Sequence, residues 1–217
     1  MRIIDLSRDL DTDTPPFPGD NGVEIFITQS KGEHTSEEEG YLNASTIRFS
    51  VHTGTHMDAP FHFFNDQPTI DQIPLESCIG PAIRLDLTNR CQQTKIGPED
   101  LFPYQTLINQ QQNILIETGW EKQWKTQRYF TDFPILTRDA AELLLSCEVK
   151  LVGIDTPSVD KYPHLAHQIL LGHQILILEN LVHLDQLPDT SFQLIVLPLK
   201  LTGRDGSPVR AITRVEG

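Results

Sequence analysis

Imidazole and carboxylate side chains are concentrated in one short segment of the sequence, residues 52–62. It carries His52, His56, Asp58 and His62. Imidazole nitrogens and carboxylate oxygens are the ligands that zinc and related divalent ions take in proteins, so the pattern predicts a metal site. A divalent ion lowers the pKa of a bound water toward ~7 and supplies hydroxide for hydrolysis at neutral pH. A set of unrelated surface histidines is the alternative, and this density of metal-binding side chains disfavours it.

The backbone around these residues must bend if their side chains are to meet. A helix is disfavoured by four residues of the segment, Thr53, Gly54, Thr55 and Pro60. The four candidate side chains all lie at even positions and would share one face of a strand. A straight strand rising ~3.3 Å per residue, however, would separate His52 from Asp58 by about 20 Å, too far to share an ion. We therefore predict a bend, which Gly54 and Pro60 permit.

A second group of candidate ligands lies downstream, and Glu179 is its most unusual member. Residues 174–178 are predicted to form a buried strand, and a carboxylate that follows such a strand needs a positive partner. That partner is either a metal ion or a buried Lys or Arg. Pro163 suits the first turn of a helix that Gly172 would end, and His167 lies within that helix. For any single histidine in this group, which also includes His164, His173 and His183, a place on the surface or a hydrogen-bonded place in the core is the favoured alternative to metal binding. His167 and Glu179 gain support because the first cluster needs more ligands.

These candidates are embedded in short predicted strands with interleaved helices. The strands are predicted at residues 3–6, 23–28, 47–51, 82–87, 114–117, 150–154, 174–178 and 192–198. A helix is predicted at 137–146, with Thr137 as its cap. That mixture predicts an α/β or α+β fold with a strand-rich core and flanking helices. No internal repeat or linker interrupts the chain, so residues 1–217 are predicted to form a single domain.

The composition excludes several kinds of partner and chemistry. A net charge of −13 at pH 7, part of it from an acidic stretch at 37–39, argues against nucleic acid and an anionic membrane as partners. Three cysteines that are far apart and form no CxxC motif indicate reduced thiols in a cytoplasmic protein: Cys78, Cys91 and Cys147. A cysteine nucleophile is a rival to the metal, but none of the three has a histidine beside it. A Ser-His-Asp hydrolase would need a G-x-S-x-G elbow, which the sequence lacks.

The segment 52–62 resembles a known signature. It reads His-Thr-Gly-Thr-His-Met-Asp-Ala-Pro-Phe-His and is similar to the HxGTHxDxPxH motif of the metal-dependent cyclase-like hydrolases. The best-defined members of that family are the bacterial kynurenine formamidases, or arylformamidases. The resemblance extends over nearly the whole chain, through residues 4–7, 17–20, 119–120, 153–160, 177–181, 197–200 and 207–211. The first motif is specific for the superfamily, and the stretch 153–160 favours the formamidases within it.

The resemblance implies a site with two divalent ions, zinc or alternatively manganese. His52, His56 and Asp58 correspond to the ligands of the first ion. Asp58 would bridge to a second ion held by His167 and Glu179, with Glu179 contacting both. The family places its histidine twelve residues before its glutamate, which is the separation of His167 and Glu179.

His62 corresponds in the family to the residue that donates and accepts the proton, and not to a ligand. An amide nitrogen leaves badly as an anion, so a group must protonate it, and imidazole has the right pKa range. The implied reaction is hydrolysis of N-formylkynurenine to kynurenine and formate. Hydrolysis of a cyclic aryl amide, as in isatin hydrolases, is one alternative. A non-catalytic protein that binds a metal or a small molecule on the same fold is the other.

Phe17 is the position at which this sequence departs from the formamidases. They typically have a tryptophan before Pro-Gly-Asp, and it packs against the aromatic ring of the substrate. Phe17 can still stack on such a ring, although the area and the N–H of the indole are lost. A loop residue that merely covers the core is the alternative interpretation. The resemblance also implies the family's swivelling β/β/α architecture and assembly into a homodimer or tetramer.

Overall fold

The computed structural model describes residues 1–29, 43–90 and 94–215, so the acidic stretch 37–39 and Cys91 lie outside the described residues. The strands are β1 Arg2–Asp5, β2 Glu24–Gln29, β3 Ala44–Arg48, β4 His56–Asp58, β5 Ile79–Asp86, β6 Lys95–Ile96, β7 Asn113–Glu117, β8 Ile135–Leu136, β9 Leu151–Ile154, β10 Leu176–Glu179, β11 Phe192–Pro198 and β12 Gly206–Val215. The helices are α1 Pro98–Leu101, α2 Gln105–Ile108, α3 Arg138–Ser146 and α4 Leu165–Gly172. None of these helices combines the length and the apolar character that a bilayer crossing requires.

One large sheet organises the described chain, in the strand order β1-β12-β11-β5-β7-β9-β10-β4. Strand β4 pairs with both β10 and β12, so the sheet closes on itself and β1 lies outside the ring. In this sheet, strands β5, β7, β9 and β10 run parallel to one another, whereas all its other strand pairings are antiparallel. The predicted α/β class with a strand-rich core and flanking helices is confirmed.

Alternate side chains of these strands enter two separate apolar cores. Leu115, Leu151 and Leu178 pack with Met57 on one side of the sheet. Their neighbours in sequence face the other side, where α3 and α4 cover the sheet: Ile114, Ile116, Val152 and Ile177. Since side chains alternate along a strand, His56, Asp58 and Glu179 must face the helical side. The helix α4, which connects the parallel strands β9 and β10, therefore lies over them.

The first residue of α3 could be predicted from the sequence, whereas that of α4 could not. Helix α3 begins as predicted, because Thr137 caps it by accepting a hydrogen bond from the Ala140 backbone N–H. The prediction that Pro163 lies in the first turn of the next helix is wrong. Helix α4 begins at Leu165, since the Asp160 carboxylate, five residues earlier, accepts hydrogen bonds from the backbone N–H groups of Ala166 and His167 in its first turn. Pro163 lies before that start, after a cis bond to Tyr162.

The predicted bend in the segment 52–62 is present. Gly54 has a left-handed backbone with φ of +63°, and β4 begins two residues later at His56. Pro60 then opens a short 3-10 turn, Pro60–His62. The bend brings His52 back against β4, where its Nδ1 lies 2.8 Å from Oδ1 of Asp58.

The Gly54 bend should be sensitive to a side chain. We expect Gly54→Ala to lower the free energy of unfolding by roughly 1–2 kcal/mol, because a Cβ is strained at positive φ. The new Cβ would also collide with Leu10. Denaturant unfolding measures this loss. Gly203→Ala is the matched control, since Gly203 has φ of +70° and open space around its Cα. If Gly54→Ala costs no more than the control and still binds divalent ions, the bend does not position His52.

Candidate metal centre

Strand pairing brings the buried carboxylates and His56 together. In the register of β4 with β10, His56 lies directly opposite Glu179, and Asp58 lies opposite Ile177. Opposed residues project to the same side of a sheet, as do residues two apart on one strand. His56, Asp58 and Glu179 therefore share one face, and each is at most 4% exposed.

Helix α4 adds His167 to this face. The imidazole Nδ1 of His167 lies 2.6 Å from Oδ1 of Asp160, and the backbone N–H of His167 donates to the other oxygen of that carboxylate. One aspartate thus caps the helix and orients the ring. Because Nδ1 is held in this way, Nε2 of His167 faces the two carboxylates on the sheet.

The facing atoms are close but not hydrogen-bonded at normal geometry. His56 Nε2 is 3.4 Å from oxygens of both Asp58 and Glu179. His167 Nε2 is 3.6 Å from Asp58 and 3.5 Å from Glu179. These separations are longer than ordinary hydrogen bonds, and they suit side chains that surround an ion better than side chains that hydrogen-bond to each other.

The second nitrogen of His56 is already used, since Nδ1 lies 2.8 Å from the Gly54 carbonyl oxygen. In the neutral tautomer, His56 and His167 each therefore present a lone pair from Nε2. No described Lys or Arg lines this cavity, so the interpretation of Glu179 as the partner of a buried basic side chain is wrong. The donor set fits a divalent cation.

His52 has a different surrounding, which includes a residue that the sequence did not reveal. Its Nδ1 lies 2.8 Å from Asp58, and its Nε2 lies 2.7 Å from Oδ2 of Asp205. The same Asp205 oxygen is 3.2 Å from Nδ1 of His62. Asp205 precedes β12 and is far from the histidine motif in sequence, so no spacing could have indicated it. His52 must release one of its carboxylate partners to bind an ion.

Charge is balanced inside the cluster by the imidazoles. Burial alone would lower the pKa of His56, but the close carboxylates of Asp58 and Glu179 raise it to about 10. Burial opposes protonation of His52 as well, yet the charge of Asp58 and the bond to Asp205 raise its pKa to about 9. A cation that bound here would displace these protons.

His62 lies at the edge of the cluster, where its ring centroid is 4.2 Å from that of His52. Its side chain is 30% exposed, in contrast to the buried side chains of the cluster. Burial of the ring and the neighbouring charges of His52 and His167 lower the pKa of His62. Its imidazole is consequently neutral at pH 7 and can accept a proton.

Aromatic side chains form the walls of the cavity that these residues share. The cavity has a volume of about 250 Å³, near the lower end of the range for small-molecule sites. Phe17 lies in its wall and packs edge-to-face on Phe130 at 5.6 Å, and Phe63 and Trp124 complete the aromatic lining. Phe17 thus contributes to the cavity and not only to the covering of the core.

The other downstream histidines are distributed differently. His164 lines the cavity and lies 3.0 Å from Asp160. His173 and His183 are exposed and lie against the backbone oxygens of Ile169 and Asp5. Among the described residues, four groups of potential ligands meet in space. Two of them consist of predicted candidates: His52, His56 and Asp58 in one, and Asp58, His167 and Glu179 in the other. The other two are His52 with His62 and Asp205, and Asp160 with His164 and His167.

The chain is similar in sequence to characterised proteins over almost its whole length. The family model described as "Putative cyclase" matches residues 4–161. The kynurenine formamidase of Bacillus cereus is 36% identical over 214 residues, which cover 97% of this chain and 96% of that protein. The kynurenine formamidase of Bacillus anthracis has the same identity and coverage.

Solved structures share the fold. Isatin hydrolase A from Labrenzia aggregata, solved with benzyl benzoate bound, superposes with a TM-score of 0.88 at 27% identity. The alignment covers 100% of this chain and 94% of that chain. A potential metal-dependent hydrolase with cyclase activity superposes with a TM-score of 0.79 at 25% identity, covering 99% of both chains.

The role of Asp160 as the support of His167 is testable. We expect Asp160→Asn to weaken zinc binding about 10–100-fold, because His167 loses the anionic acceptor that orients it. Asparagine still caps a helix well, so α4 should persist. Competition with a chromogenic chelator measures the affinity. His173→Gln, in an exposed histidine at the end of the same helix, should bind zinc as the wild type does. Unchanged affinity in Asp160→Asn would contradict the assignment.

Proposed function

This chain belongs to the cyclase family, and from that premise we propose that it hydrolyses N-formylkynurenine to kynurenine and formate. It is a metal-dependent hydrolase that acts on C–N bonds, as its kynurenine formamidase relatives are. One observation carries the proposal for this substrate class. Buried imidazoles and carboxylates converge beside His62 in a cavity whose walls are aromatic, which suits an aryl amide.

We assign two ions to the centre. His52, His56 and Asp58 would hold the first, and Asp58, His167 and Glu179 the second. When bound, divalent ions supply activation of water and polarisation of the carbonyl group. Zinc suits a set with three imidazoles, and manganese is the alternative that the carboxylates would accept.

The protein's own groups would bind the substrate and move the protons. Phe17, Phe130 and Trp124 would hold the aryl ring against the cavity wall. His62 would accept a proton from the attacking water and return it to the nitrogen as the C–N bond breaks, because an amide nitrogen leaves badly as an anion. Asp205, 3.2 Å from Nδ1 of His62, would orient the ring for both transfers.

A second candidate reaction is hydrolytic opening of a cyclic aryl amide. The similarity to isatin hydrolase A, at a TM-score of 0.88, favours this candidate. The same residues serve it, because ring opening also breaks an amide C–N bond and leaves a nitrogen that needs a proton. The two reactions differ in whether the acyl part departs as formate or stays attached to the ring.

We further propose that the chain works as a single cytoplasmic domain, residues 1–217, in tryptophan breakdown. The free thiols of Cys78 and Cys147 support a reducing compartment.

We also propose a homo-oligomer in which a second copy covers the ribbon of β2 and β3. This ribbon pairs with no other described strand, and Ile25, Ile27 and Ile47 are exposed on it. A two-stranded ribbon is marginal alone, and an exposed apolar face is typical of an interface.

His62 discriminates the enzyme from a binding protein. We expect His62→Ala to reduce formate release from N-formylkynurenine about 10²–10⁴-fold, because the proton carrier is lost while the ligands remain. Metal content should stay at the wild-type level. His183→Ala, in an exposed histidine outside the cavity, should keep full turnover.

The assay includes isatin beside N-formylkynurenine, with metal content measured in each preparation. Fully metal-loaded wild type that cleaves neither compound would refute the hydrolase assignment for both. Turnover of isatin alone would favour the second candidate reaction. Equal turnover by His62→Ala and wild type would exclude His62 as the proton carrier.

The proposed interface predicts a change in assembly. We expect Ile27→Asp combined with Ile47→Asp to convert the oligomer to a monomer, since two buried charges at an interface are costly. Light scattering after size exclusion measures the mass. Ile3→Asp, in the exposed side chain of β1, should leave the mass unchanged. A monomeric wild type, or an oligomer that survives the double substitution, would contradict this role of the ribbon.

A further inference from the structure

Asn180 follows Glu179 directly and lines the same cavity. Neither the pairing of the strands nor the proposed metal ligands explain why an amide side chain lies at this position. The residue is 5% exposed and has a left-handed backbone with φ of +59°. Asparagine tolerates this conformation better than most residues. Its backbone is held at both ends, since its N–H donates to the Thr156 carbonyl and its carbonyl accepts from the Thr55 hydroxyl.

The side-chain amide of Asn180 is held in one orientation by Tyr129. The phenol O–H donates to Oδ1 of Asn180 at 2.7 Å. Burial raises the pKa of Tyr129, so the phenol keeps its proton. The guanidinium of Arg8 lies over the same ring, 5.6 Å from its centroid, and brings a positive charge beside the phenol.

A phenol has a single proton, and Tyr129 donates it to Asn180. Asn180 consequently presents its oxygen to Tyr129 and its Nδ2 on the opposite side. Across residues 1–29, 43–90 and 94–215, no side chain or backbone group accepts a hydrogen bond from that Nδ2. The amide Nδ2 of Asn180 is thus held in the cavity wall, where a molecule in the cavity can accept a hydrogen bond from it.

We propose that Nδ2 of Asn180 donates a hydrogen bond to the carbonyl oxygen of the amide that is hydrolysed. The inference rests on the proposed function, since it specifies how the same site holds its substrate. Negative charge accumulates on this oxygen when water adds to the carbonyl carbon. A preorganised donor aimed at it lowers the barrier without needing to reorient.

A neutral donor suits this cavity better than a charged one would. The centre already gathers the positive charge of the proposed ions, and no described Lys or Arg lines the cavity. Tyr129 and Arg8 act at a distance from the reacting atoms, so they are positioning residues. Arg8 also stacks on Trp124 at 4.0 Å, which joins the amide and the aromatic wall in one rigid group.

Asn180→Asp is the decisive substitution. Aspartate tolerates positive φ and keeps the oxygen that accepts from Tyr129, but it replaces the Nδ2 donor with an acceptor. Its added negative charge does not weaken cation binding, so a loss of turnover cannot be attributed to a lost ion. We expect kcat for formate release to fall about 10²–10³-fold, with KM within roughly threefold of the wild type.

Two further variants keep the test independent of the behaviour of Asn180→Asp. Asn180→Gly removes the side chain, suits the left-handed backbone, and should lower kcat to a similar extent. Tyr129→Phe releases the amide without removing the donor, so its loss should be smaller, roughly tenfold at most. Zinc content and the unfolding midpoint are measured for every variant.

The outcomes separate the two hypotheses. Wild type without amidase activity refutes the proposed function, whereas the ratio of variant to wild-type kcat tests Asn180. A lowered kcat at unchanged KM and full zinc content in either Asn180 variant supports the inference. A raised KM at unchanged kcat overturns it, because the amide would then bind another part of the substrate. Wild-type kinetics in Asn180→Asp or Asn180→Gly also overturns it.

Discussion

Two carboxylates, Asp58 and Glu179, are buried side by side, and this arrangement constrains everything around them. Each is at most 4% exposed, and the charge of Asp58 acts to raise the pKa of Glu179. Like charges so placed are tolerated only where positive charge compensates both. Burial would raise the pKa of both carboxyls, but His52 beside Asp58, together with His56 and His167 beside both, supplies that charge and holds the pKa of each below the ordinary range. The requirement for positive charge explains why a site of this composition accepts a divalent cation.

Closure of the sheet creates that arrangement. Strand β4 is short, yet it pairs on both sides, with β10 and with β12. Met57 at its centre faces the apolar core, so the flanking His56 and Asp58 face the helices. The same pairing that completes the ring of strands sets His56 opposite Glu179. A shift of register by one residue would move both His56 and Asp58 into the apolar core.

The sequence predicted those parts of the site that depend on the backbone preferences of single residues. Gly54 and Pro60 indicate a bend by their backbone preferences alone, and the resemblance to a family added His167 and Glu179 at the right separation. Asp205 could not be predicted, because it acts through contacts between segments that are distant in sequence. Asp160 lies only seven residues before His167, but no pattern in the sequence linked the two side chains. Strand β12 was missed since Gly206 and Pro208 interrupt the pattern typical of a strand, although pairing with β4 and β11 stabilises it.

Burial divides the histidines of the segment 52–62 by what they can do. His56 is almost fully enclosed, and its Nδ1 is held by a backbone oxygen, so the orientation of its ring is fixed. A ligand requires such a position. His62 is 30% exposed and is held only at its edge by Asp205, so its ring reaches both the cavity and solvent. The proton transfer that we propose for His62 requires that access, and the turn Pro60–His62 after β4 places the ring there.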